Sequence, residues 1–136
     1  MHKQLNHRHR EMFTYNLYHK YFQNQEVNFM PFTKIYQHEI KSSDDYSGLV
    51  LKEWCHNKIY YQLEIYKITD KNKYDIYFLK SKGDRNIENY GTDVKTVLAD
   101  NKINYDADNK YFMASKFTEA SLISTLKKIC SEFNKL

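Results

Sequence analysis

The sequence predicts an α+β fold: one domain with a four- to five-stranded, mainly antiparallel meander sheet, a C-terminal amphipathic helix packed on one face, and an N-terminal helix. Three observations carry this prediction. Residues 59–80 alternate as the two arms of a β-hairpin, and residues 118–133 hold apolar side chains at helical spacing. The chain has 136 residues, which fits one domain of the common size of about 100–150 residues.

Taken in order, residues 1–10 form a basic arm and residues 11–136 the domain. The first 24 residues carry Lys3, Arg8, Arg10 and Lys20 against Glu11 alone, most of the formal net charge of +4. Such an end on a nearly neutral body is suited to anions. From Arg10 to Gln23, Met12, Tyr15, Tyr18 or His19, and Phe22 recur at helical spacing, and neither Gly nor Pro interrupts them. The segment is also longer than a usual strand, so it is read as a helix. After the only proline, Pro31, the stretch Phe32–Lys41 alternates as a strand, and residues 41–48 form a loop on composition.

Leu49–Cys55 gives the next strand, and His56, Asn57 and Lys58 turn it into the hairpin. Side chains alternate across a strand. Ile59, Tyr61, Leu63 and Ile65 therefore share one face, and Tyr60, Gln62, Glu64 and Tyr66 the other. Tyr74, Ile76 and Phe78 supply the matching apolar set on the second arm, and the polar residues 69–73 the loop. Thr92 is a candidate cap for a short helix over residues 93–99, with Asp93 at its positive end. Lys110–Ser115 reads as a further strand. Thr118 is the expected N-cap of the last helix, whose stripe is Leu122, Ile123, Leu126, Ile129, Cys130 and Phe133.

The candidate chemistry is sparse. His7 and His9 flank Arg8, with His2 and His19 nearby, but i, i+2 imidazoles on a helix point about 200° apart and do not chelate together. Asp106 and Asp108 resemble the start of a calcium loop, yet its fifth, sixth and twelfth positions hold Lys110, Tyr111 and Phe117, so the stretch is a polar turn. His38 and Glu39, ahead of Asp44 and Asp45, point to opposite faces if on a strand. Gly48, Gly83 and Gly91 are too scattered for a phosphate loop. Cys55 and His56 are neighbours, which is not the geometry of a nucleophile and its base. The reading is accordingly no metal, no cofactor and no catalytic set. An enzyme would need His38 or His56 to meet an acidic residue in a pocket.

What remains is aromatic. The chain has 13 Tyr against 8 Phe and one Trp. Tyr60, Tyr66 and Tyr77 mark the second sheet face, and amphipathic rings of low entropy favour interfaces. The expectation is a non-enzymatic protein-binding module, of small inhibitor, immunity or adaptor type, with another protein as partner. An N-terminal helix lying on that face would instead make the three tyrosines core. The alternative is nucleic-acid binding through Lys3, Arg8, Arg10 and Lys20. No run of about 18 apolar residues predicts a membrane span. The polar N-terminus and two widely spaced cysteines predict a cytoplasmic setting.

Overall fold

The computed structural model describes residues 16–27, 39–42, 46–68 and 72–136. Their sheet has six antiparallel strands in the order β1-β2-β3-β4-β6-β5. These are β1 (Glu39–Ser42), β2 (Tyr46–His56), β3 (Ile59–Ile68), β4 (Tyr74–Lys80), β5 (Asn104–Asp106) and β6 (Tyr111–Phe117). The helices are α1 (Thr92–Asp100) and α2 (Glu119–Asn134), with a π-helical segment over Tyr18–Gln23. The first four strands follow the expected meander order, with β1 beginning at Glu39; residues 32–38 of the expected first strand lie outside the described residues. The chain then leaves the sheet through α1, and β6 returns to pair with β4, leaving β5 at the edge. At three residues, β5 is too short for alternation to reveal.

The hairpin registers as the pattern requires. Leu63 pairs with Phe78 and Ile65 with Ile76 on one face, Glu64 with Tyr77 and Tyr66 with Asp75 on the other. Tyr61, Leu63, Ile65, Tyr74, Ile76 and Phe78 are all buried. The β2–β3 connection is a two-residue turn in which Asn57 and Lys58 both take positive φ, 50° and 68°. That is the type I′ geometry whose twist suits a hairpin.

Two bulges set which residues face the helices. On β2 the register slips between Leu51 and Trp54, so Leu51 pairs with Leu63 and Trp54 with Tyr61. One extra residue on β2 reverses the alternation, and Trp54 and His56 join Leu49 and Leu51 on the helix side. On β6 the slip lies between Ala114 and Phe117, which pair with Ile76 and Tyr74. Lys116, inside it, has φ 66°.

All six stripe residues of α2 are buried. Phe133 closes on Trp54 at 4.6 Å and on Phe78 at 5.3 Å between ring centroids. Thr118 caps this helix as expected. Its Oγ1 accepts from Ser121 N at 3.1 Å, and Ser121 Oγ accepts from Thr118 N at 2.9 Å. On α1 the cap is Gly91, one residue earlier than Thr92, with an extended backbone and no side-chain bond. Tyr61 Oη instead accepts from Gly91 N at 3.1 Å.

The N-terminal helix is described from residue 16. Leu17, Phe22 and Val27 are buried and belong to the same core cluster as Leu49, Ile65 and Phe133. Lys20 reaches Glu119, at the start of α2, at 3.8 Å. The described part of this segment therefore packs on the helix side of the sheet. Tyr46, Ser47 and Gly48, expected in a loop, extend β2 opposite Ile68, Lys67 and Tyr66. Gly48 lets the Tyr66 ring lie against the strand, since a Cβ there would sit 2.3 Å from Tyr66 Cε1.

Candidate interaction face and the His56–Asp93 pair

The face turned away from α2 is built mainly by β3, β4 and β6. Tyr66 and Tyr77 stand on adjacent strands with ring centroids 5.3 Å apart at 85°. Tyr77 in turn meets Tyr111 of β6 at 5.0 Å and 78°. Edge-to-face contacts of this kind satisfy the ring quadrupoles, and together they make one continuous aromatic strip. All three rings are half-buried. Tyr60 is not part of it. Six residues from Tyr66 on the same strand, it lies about 20 Å away. It is 39% exposed, with Lys82 Nζ 4.3 Å from its ring centre.

Carboxylates accompany the strip. Tyr66 Oη donates to Glu64 Oε1 at 2.6 Å. Asp75 Oδ1 accepts from Lys116 N, in the β6 bulge, at 3.3 Å. Glu64 and Asp75 are each only 8% exposed. Burial raises the Asp75 pKa above the ordinary carboxylate value, partly offset by the Lys116 N–H and the Tyr77 hydroxyl. Burial, then the charge of Asp75, the neighbouring Tyr111 and the charge of Glu64, push Tyr77 up to about 12. The Tyr77 and Tyr111 phenols, both raised above the ordinary value, stay neutral across the physiological range.

Of the basic residues, Lys20 is held near Glu119 with its Nζ 5.0 Å from the Tyr21 ring centre. Its pKa is raised, first by the Tyr21 hydrogen bond and then by Glu119. Lys3, Arg8 and Arg10 lie outside the described residues, as do His2, His7, His9 and His38.

A second constellation was not legible in the sequence. His56 Nε2 donates to Asp93 Oδ2 at 2.7 Å. The imidazole stacks on Trp54, centroids 5.3 Å apart at 25°. Asp93 Oδ1 accepts from Val94 N at 2.8 Å. The His56 bond, followed by the Val94 N–H and the charge of His56, lowers the Asp93 pKa. An imidazole meeting an acid is the arrangement an enzyme would need. Asn57 Nδ2 also lies 3.2 Å from His56 Nε2, and among the described residues no three His, Cys, Asp or Glu side chains gather to hold a metal. Asp106 proves to be a turn former: its Oδ1 accepts from Asp108 N and Asn109 N at 3.0 and 3.2 Å.

Sequence reasoning found Tyr66 and Tyr77 from alternation but missed Tyr111 and the acidic residues around it. The alternation of Tyr111 with Phe112 and Met113 was the available signal; the register beside β4 was not. No helix among the described residues is long and apolar enough to cross a membrane. Comparison of the chain with protein-family models, with curated proteins and with solved structures finds no match.

Proposed function

We propose that the chain is a non-enzymatic protein-binding module, of small inhibitor, immunity or adaptor type, that contacts its partner through the face of Tyr66 and Tyr77. The observation that supports this is the strip running from Tyr66 through Tyr77 to Tyr111. It lies on the side of the sheet opposite the α2 stripe, and half-buried amphipathic rings are what interfaces enrich. Tyr60 contributes at most a separate contact at the hairpin end. Free Cys55 and Cys130 fit a reducing, cytoplasmic setting.

Nucleic-acid binding through Lys3, Arg8, Arg10 and Lys20 has less support. Lys20 already faces Glu119, and Glu64 and Asp75 on the tyrosine face repel phosphate. That alternative predicts binding that weakens by about one log unit per log unit of salt for each phosphate neutralised.

The test is capture of proteins from the native cell on the immobilised chain, beside the Tyr66→Ala, Tyr77→Ala double variant. A defined protein retained by the wild type, resistant to nuclease and lost with the variant, is the expected result. An unchanged captured set with the variant's circular dichroism intact would sink the proposed surface.

A further inference from the structure

On β3 and β4 the tyrosine face carries charge of one sign. Neither β3 nor β4 places a lysine or arginine at the positions that share a face with Tyr66 and Tyr77. Those positions include Glu64 and Asp75 instead. Across β6, Asp106 of β5 pairs with Tyr111 and so shares its face. The Tyr77–Tyr111 ring pair thus stands between Asp75 on one strand and Asp106 on another.

These features converge on a cation. The face of a phenol ring carries negative potential, and a guanidinium stacks on it while bonding a nearby carboxylate. The pKa of Tyr111 is raised by burial and then by Asp106, Glu64 and Asp75, so it feels all three carboxylates. Asp75 is mostly buried and acts on a ligand through its charge. Asp106 is half-buried and can make contact. Asp75 and Asp106 disfavour an acidic or phosphate-bearing partner beside these rings.

We propose that the Tyr77–Tyr111 ring pair, flanked by Asp75 and Asp106, receives an arginine side chain from a basic segment of the partner protein. This rests on the reading of the same face as a protein-binding surface. The aromatic strip supplies contact area, and the carboxylates select for positive charge and against its neutral isosteres.

The probe is a synthetic octapeptide of alternating glycine and arginine, titrated into the isotope-labelled full chain and followed by NMR. Its control is the same peptide with citrulline, which has the shape of arginine without the charge. The arginine peptide is expected to shift the resonances of Tyr77, Tyr111 and Asp106, less so as salt rises, while the citrulline peptide leaves them in place. Asp106→Asn keeps the oxygen that accepts from Asp108 N and Asn109 N, and a flip of the Asn109 amide lets its oxygen accept from the new NH2 in place of the bond to Oδ2, so the turn survives. It is expected to weaken the arginine peptide about two- to fivefold, the range for a solvent-exposed charge pair. Equal shifts with citrulline, shifts confined to other surfaces, no shift at millimolar peptide, or an unchanged affinity in Asp106→Asn each overturn the proposal. A cellular partner whose capture depends on Tyr66 and Tyr77 but not on Asp106 or salt would remove the arginine and leave the protein-binding reading standing. Loss of the tyrosine dependence removes both.

Discussion

His56 Nε2 lies 2.7 Å from Asp93 Oδ2 and joins the tip of the β2–β3 hairpin to the first turn of α1. The two residues are 37 apart in sequence, and the bulge after Leu51 is what brings His56 to the helix side. The bond has a defined pH signature. Asp93 has a folded pKa below its unfolded value, because the His56 hydrogen bond, above all, favours the carboxylate. Its stabilisation is therefore present above the unfolded value of about 3.9 and is lost as pH falls through the folded one. Asp93→Asn should flatten this acid limb of the stability curve. The Asp93 side chain is 39% exposed, so solvent screens the pair and the loss near neutrality should be about 0.5–1 kcal/mol. Urea titrations of both proteins between acid and neutral pH check the sign and the size.

Asp75 should give the opposite slope. Burial raises its folded pKa above the unfolded value. Stability is then greatest below about 3.9 and declines as pH rises through the folded value. Asp75→Asn keeps an oxygen for the Lys116 N–H and removes the charge, so this decline should vanish with the fold intact. Asp75→Ala leaves the N–H of the bulge without its acceptor and should cost about 1–3 kcal/mol. An Asn variant with the wild-type pH slope would show that Asp75 is not the group responsible.

Much of the fold was legible because its patterns are long and regular. The α2 stripe, the Thr118 cap and the hairpin faces follow from spacing alone. Legibility stopped where one residue changes the count. The bulges on β2 and β6 invert the facing of everything beyond them, and no turn residue announces either one. Trp54, read in a plain strand, would share a face with Val50; with the bulge it packs on Phe133. The His56–Asp93 pair depends on that inversion, so it could not be drawn from the sequence. In the tyrosine face, Tyr66 and Tyr77 followed from alternation within one hairpin. Tyr111 required the pairing of β6 with β4, a relationship between segments separated by α1 and β5. Tyr60 shared the parity of Tyr66 but not its neighbourhood, because parity fixes a face and not a position along it.

The two cysteines should separate cleanly in reactivity. Cys55 is exposed, and Cys130 is fully buried in the α2 stripe, where desolvation pushes its thiol up to about 12. The thiolate is the reactive form. A thiol reagent should therefore modify Cys55 in the native chain and leave Cys130 until the protein opens. Cys55→Ser should abolish the rapid phase, and its remaining labelling rate should rise with denaturant. Rapid modification of Cys130 under native conditions would mean that α2 does not stay docked on Trp54 and Phe78.

Gly48 and Tyr66 provide the most direct check on the tyrosine face. A Cβ at residue 48 would lie 2.3 Å from Tyr66 Cε1 and 2.4 Å from Cδ1, well inside van der Waals contact. Tyr66 cannot swing away without disturbing its bond to Glu64 and its edge contact with Tyr77. Gly48→Ala should thus cost about 1–3 kcal/mol, the usual range for overpacking, and should shift the ring resonances of Tyr66 and Tyr77 together. In the Tyr66→Ala background the added methyl meets no ring, and much of the Gly48→Ala penalty should disappear. The double-mutant cycle reads that difference as a coupling energy between the two sites. Additive penalties would show that the ring does not lie over Gly48. Strong coupling would establish the packing that holds Tyr66 in line with Tyr77.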